Sequence, residues 1–105
     1  MHTADPWTAL ADPTRRGLLA RVAQEPGSVT ELARHLPISR PAVSQHLTLL
    51  LDAGLVDVCR QGKRRIYRAR PEGLATLRDE LDTFWSQALS NFKRIAETPQ
   101  QEARK

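Results

Sequence analysis

Ser39, Arg40, Ser44, Gln45 and Thr48 lie within one ten-residue span, and every one of them can make hydrogen bonds. At about 100° per residue, Pro41, Ser44, Gln45, Thr48 and Asp52 fall on one side of a helix, and Val43, Leu47 and Leu50 form an apolar stripe on the other. Polar side chains with little charge, near the start of a helix whose back is buried, suit the reading of base edges. Arg pairs with guanine, Gln with adenine, and hydroxyls with either. The alternative for this face alone is an ordinary solvated surface, so the rest of the chain has to decide.

A second group sits just downstream. Arg60, Lys63, Arg64, Arg65, Arg68 and Arg70 put six basic and no acidic residues into positions 58–70. Residues 1–57 and 71–105 each carry five basic and six acidic residues, so the whole net charge of +4 comes from this one segment. A concentrated patch of this kind fits a polyanion better than a high isoelectric point alone does. The alternative is an edge hairpin kept soluble by its charge.

The elements that position these groups can be read from local signals. Ser39 is an N-cap, Pro41 lies in the first turn, and Ile38 and Val43 have the spacing of a hydrophobic staple. Gly54 suits the left-handed position after the helix, with Leu55 folding back on Leu50. Upstream, Trp7 and Leu10 belong to a short helical lead-in, and Asp12-Pro13 starts a helix with Leu18, Leu19 and Val22 on its apolar face. On that helix Arg15, Arg16 and Arg21 are expected to be solvated or paired with acids. Glu25-Pro26-Gly27 ends it. Ser28 to Glu31 is a capping box that opens a short helix through Val29, Leu32 and Leu36, ended by Pro37.

Two short helices joined by a tight turn, the second with a polar outer face, make a helix-turn-helix. After Gly54 the period drops to two. Val56 and Val58 alternate with Asp57 and Cys59, and Tyr67 and Ala69 with Ile66 and Arg68, around a turn at Arg60 to Lys63. This predicts a basic β-hairpin, a wing whose natural chemistry is phosphate contact. From Pro71 to about Glu97 a last helix carries Leu74, Leu77, Leu81, Phe84, Trp85, Ala88, Phe92 and Ile95. At 1.5 Å per residue it is roughly 40 Å long, more than one small domain covers, and a second copy in a two-fold dimer is the expected cover. Trp7 and Leu10 could add to that interface.

The expected fold is therefore mainly α with a small β-hairpin: five helices and a wing, dimeric through the terminal helices. One domain spans 1–97, with 1–11 and 71–97 for dimerisation, 28–53 as helix-turn-helix and 55–69 as wing. Residues 98–105 are expected to be a flexible tail.

ALADPTRRGLL, then TELARHLPISRPAVSQHLTLLLDAGLV, then GKRRIYR resemble the ArsR/SmtB-type winged-helix transcriptional repressors over roughly residues 7–97. The resemblance implies a homodimer that binds an inverted repeat of double-stranded DNA in its own promoter region and blocks transcription. By position, Ser39 to Leu51 match the family's recognition helix and residues 60–65 its wing tip. Phe84-Trp85 on the final helix is similar to the subgroup that includes the autorepressor of sporulation-delay immunity.

Many members of that family release DNA on binding a metal. One family site uses Cys-x-Cys on the helix before the recognition helix, where this chain has Thr30, Glu31, Leu32, Ala33 and Arg34. Another uses Asp, His and Glu on the final helix, which here offers Asp79, Glu80 and Asp82 but no His. Zinc and copper prefer imidazole or thiolate, and His2, His35 and His46 do not cluster, so no metal site and no cofactor are expected. His46, about 60° from the apolar stripe, reads as a boundary residue with a phosphate bond available to it. Cys59 excludes an internal disulfide and points to a reducing cytoplasm, with a thiol-based sensor as an alternative role.

No glycine loop for phosphate, no nucleophile–base pair and no catalytic carboxylate arrangement stands out, so an enzyme is not expected. Nor is there an apolar run that could span a bilayer or serve as a signal peptide. The remaining alternative is a protein-interaction module on a winged-helix scaffold.

Overall fold

The structure is a computed structural model and describes residues 5–97. His2 and the rest of 1–4, and the expected tail at 98–105, lie outside the described residues. Five helices and one two-stranded antiparallel hairpin run in the order α1 (Pro6–Ala9), α2 (Pro13–Gln24), α3 (Val29–Ala33), α4 (Arg40–Asp52), β1 (Val56–Gln61), β2 (Arg64–Ala69) and α5 (Pro71–Ala96).

The starts of α1 to α4 are set by side-chain caps. Asp5 accepts from the Thr8 amide at 2.9 Å, and Asp12 from the amides of Thr14 and Arg15 at 2.8 and 3.3 Å. In the Ser28 capping box the Glu31 amide donates to Ser28 Oγ, and the Ser28 amide donates to Glu31 Oε1 at 2.9 Å. Ser39 Oγ accepts from the Ala42 amide at 3.2 Å. Each cap satisfies amides that the first turn leaves without an intrahelical partner.

The ends are as informative. Helix α3 stops as an α-helix at Ala33, short of the end expected at Leu36. From Arg34 to Leu36 each amide donates three residues back, the tighter 3₁₀ pattern that commonly finishes a helix. After α4, Gly54 adopts φ of 77°, its amide donates to Leu51 O, and the Leu55 amide donates to Leu50 O, both at 3.0 Å. This is the paired C-terminal motif in which a left-handed glycine turns the chain away.

The described chain forms two compact units that divide between Ala75 and Thr76, inside α5. In the first, Leu18, Val22, Val43, Leu47, Leu50, Leu55 and Val56 are almost wholly out of water. Each such side chain contributes roughly 1.5–3 kcal/mol by burial. Helix α4 packs on α2, α3 and β1, so its apolar stripe is spent on the core and its other side is left outward.

The hairpin pairs Val56 with Ala69 through Gln61 with Arg64, so only Gly62 and Lys63 form the loop. Gly62 at φ of 63° takes the first loop position, as a type II′ turn requires. Strict alternation predicts that Tyr67 faces inward and Ile66 outward, yet both are buried. Helices α2 and α3 both pack against β2, and a third extended segment meets its edge. Tyr67 exchanges backbone hydrogen bonds with Gly27, at 2.9 and 3.1 Å, so the root of β2 is paired on both edges.

The hairpin leads directly into α5. The Arg70 amide donates to Leu55 O at 2.8 Å, and a Cβ at Gly73 would stand 2.0 Å from Gly54 O. Glycine at 73 is what allows the first turn of α5 to sit against the end of α4. The second unit is the remainder of α5, and Leu81, Phe84, Trp85, Leu89, Phe92 and Ile95 are exposed on it. Among the described residues no helix is long and apolar enough to cross a membrane.

Candidate nucleic-acid interface

The outward side of α4 presents Arg40, Pro41, Ser44, Gln45 and Thr48, all exposed. Their availability differs. The side chains of Ser44 and Gln45 make no hydrogen bond among the described residues and keep their full donor and acceptor capacity. Thr48 donates its hydroxyl back to Ser44 O at 3.0 Å, so outward it offers only an acceptor oxygen. Ser39 Oγ is engaged as the cap, and Arg40 Nη1 lies 3.5 Å from Thr30 Oγ1 on α3. Leu49, unremarked in the sequence pattern, is exposed as well.

His46 is half-buried, and its Nδ1 accepts from Arg15 Nε at 3.3 Å. Acceptance at Nδ1 means that a neutral ring carries its proton on Nε2. Arg15 also donates to Ala9 O at 3.0 Å and lies 3.6 Å from Asp12. Arg16 donates to Leu10 O at 2.8 Å. The two arginines thus close the end of α1, and Arg15 ties α1 and α2 to α4. The amide of Arg15 is the main reason that the Asp12 carboxyl lies below its ordinary range, with the amide of Thr14 and the charge of Arg15 adding to it.

The wing cations are held unequally. Arg60 and Lys63 are exposed with no ion pair among the described residues, and Arg60 stands directly across the ladder from Arg65. Arg65 lies over the Tyr67 ring at 5.7 Å. Arg68 pairs with Asp57 at 2.8 Å, and this bond raises its already high pKa. Arg64 reaches Glu31 Oε1 on α3 at 2.6 Å. The Glu31 carboxyl is held below its usual range first by the Ser28 amide and then by the Arg64 charge. Cys59 is a free, half-buried thiol opposite Ile66.

Of the residues expected at a dimer surface, Trp7, Leu81, Phe84, Trp85, Ala88 and Phe92 are exposed, and Leu10 is half-buried. Phe92 is 70% and Trp85 62% exposed. Leu77 differs: at 7% exposure it is already buried within the single chain and drops out of the exposed face. Leu89, absent from the sequence pattern, joins that face. It sits at the edge of the stripe, four residues after Trp85, where a strict three-four count passes over it. Among the described residues no group of three or more His, Cys, Asp or Glu side chains could hold a metal ion.

A helix-turn-helix with a free polar face, followed by a hairpin loaded with cations, defines a winged helix-turn-helix of the DNA-binding kind. Comparison with known proteins agrees. A family described as a helix-turn-helix domain matches residues 10–59. The HTH-type transcriptional regulator Rv2034 of Mycobacterium tuberculosis is 51% identical over 88% of this chain and 86% of its own length. An ArsR-like transcriptional regulator from Rhodococcus sp. RHA1 superposes with a TM-score of 0.69 at 33% identity, covering 89% of this chain and 91% of that one. A homodimeric winged helix-turn-helix DNA-binding domain from Mycobacterium bovis, described as a possible ArsR-family regulator, gives 0.63 at 28% identity, covering 77% and 75%. The chain belongs to the ArsR family of winged helix-turn-helix transcriptional regulators.

Proposed function

We propose that this protein is a homodimeric repressor that binds an inverted repeat in the promoter region of its own gene. The observation that carries this reading is the pairing of readers with grips. Among the described residues the side chains of Ser44 and Gln45 have no hydrogen-bond partner on the outward face of a helix whose back is locked into the core, and Arg60 and Lys63 have no ion-pair partner on the wing. Side chains that form no hydrogen bond or ion pair within the fold are available to a ligand, and their chemistry suits base edges and phosphates respectively.

In this reading the exposed apolar face of α5 pairs with that of a second copy. Two α4 helices then enter successive major grooves about 34 Å apart. Arg40, Ser44, Gln45 and the Thr48 acceptor read bases. The α4 N-terminus and Ser39 face phosphate. Arg60, Lys63, Arg64 and Arg65 hold the flanking backbone or the minor groove, and occupancy excludes polymerase. His46, engaged by Arg15, serves to seat α4.

The test is fluorescence anisotropy on DNA from directly upstream of the coding region, beside a scrambled duplex and across a salt series. Tight, sequence-dependent binding with a steep salt slope is the expected result. Equal binding to the scrambled duplex would reject this operator, and loss of all salt dependence would favour a protein-interaction module.

A further inference from the structure

Glu31 does two jobs with one oxygen. Its Oε1 accepts the Ser28 amide at 2.9 Å, which caps α3, and the Arg64 guanidinium at 2.6 Å, which reaches over from β2. Arg64 is thereby the one cation of the 60–65 wing segment that an acid holds among the described residues. Both side chains are about half exposed, so the pair is in contact with water and easily exchanged. A carboxylate that accepts from a guanidinium offers the same charge and the same oxygen acceptors as a DNA phosphate.

We propose that Glu31 is an internal competitor for the phosphate backbone: it occupies Arg64 in the free protein and must surrender it to DNA, and so it sets the wing's affinity. This rests on the DNA-binding reading above. The exchange is cheap on the protein side. When Arg64 leaves, Glu31 keeps the Ser28 amide and remains exposed to water, so no carboxylate is stranded and the α3 cap stays closed. Arg60 and Lys63 need no such release. Arg64 is therefore the wing contact that DNA gains only against an intramolecular rival.

The two jobs separate chemically. A cap needs only an acceptor oxygen, which Gln supplies. Holding Arg64 against phosphate needs the charge, which Gln lacks. Glu31→Gln should bind a duplex selected from a random pool about two- to fivefold more tightly than the unaltered protein, the factor that a surface ion pair corresponds to. Its melting temperature should stay nearly unchanged. In an Arg64→Ala background the same substitution should gain much less.

On the unaltered protein, the ¹³C signal of the Glu31 carboxyl should move when that duplex is added, whether or not the variant folds. Weaker or unchanged binding by Glu31→Gln would overturn the proposal, because Glu31 would then be positioning Arg64 or doing nothing to it. A full gain in the Arg64→Ala background would also overturn it, by showing a general effect of charge. A carboxyl signal that stays fixed at saturating DNA would do the same. If the unaltered protein selects no duplex at all, the DNA-binding reading fails instead.

Discussion

Arg60 and Arg65 face each other across the hairpin, and nothing in the described fold rewards Arg60 for being there. Like charges directly opposite on a ladder destabilise it by up to about 1 kcal/mol. The position makes sense if a polyanion relieves it. Arg60→Thr should therefore raise the melting temperature by a degree or two and weaken DNA binding together. Calorimetry and a salt series read the two effects, and the logarithmic salt slope should become shallower by about 0.9 for one lost phosphate contact. Gln45→Ala acts differently. With no structural bond to lose, it should leave stability unchanged and relax preference at one base pair by roughly 1–3 kcal/mol, measured by selection from a randomised duplex pool. Arg64→Ala should weaken binding to all sequences alike. The three variants separate reading from gripping: Gln45 serves the first, Arg60 and Arg64 the second, and only the Arg60 change is expected to raise stability.

At the scale of the element, the caps carry most of the definition. Asp12 accepts two amides at the start of α2, and its carboxyl is depressed by them, first by that of Arg15. A depressed carboxyl stabilises the fold above its unfolded pKa, and that contribution is lost as pH falls through its lower folded value. Asp12→Ala should cost a few degrees of melting temperature at pH 7 and progressively less below about pH 4, where the parent protein loses the same contribution. Melts at a series of pH values would check it, and a deficit that stayed constant to the lowest pH would reject it.

Such caps are local, and this explains what could be read without a structure. Asp12, Ser28, Ser39 and Gly54 announce their roles through neighbours within a few residues, and each does what its spacing predicts. Contacts that span the chain do not announce themselves. His46 bonds to Arg15 from 31 positions away, Gly27 pairs with Tyr67, and Glu31 takes Arg64. Pro26-Gly27 read only as a helix breaker, because pairing with β2 has no local signature. In the candidate site the residue types on α4 and the wing were legible from pattern and charge. Which of them are already engaged was not, since engagement depends on elements that fold back from elsewhere.

For the whole molecule, the proposed assembly rests on the long α5 helix. Leu81, Phe84, Trp85, Leu89, Phe92 and Ile95 form an apolar face that single chains leave in water. In the proposed dimer these side chains are the seam. Combined Trp85→Ser and Phe92→Ser changes should leave helix content nearly intact, since neither side chain is part of the protomer core. They should shift sedimentation to the monomer and lower affinity for a two-half-site operator at least tenfold while sparing a single half-site. A double variant that still sediments as a dimer would place the seam elsewhere.

That same face also bears on how long the protein survives. A lone chain displaying two phenylalanines and a tryptophan on a solvent-exposed helix is a ready substrate for chaperones and proteases. In the proposed dimer, pairing hides those groups, and the monomer–dimer equilibrium would then double as a control on turnover. In that case most copies at low abundance would be single and short-lived, and above the pairing threshold they would persist. A regulator built in this way would clear itself quickly when synthesis stops and hold its level when synthesis continues, with no effector molecule required for either.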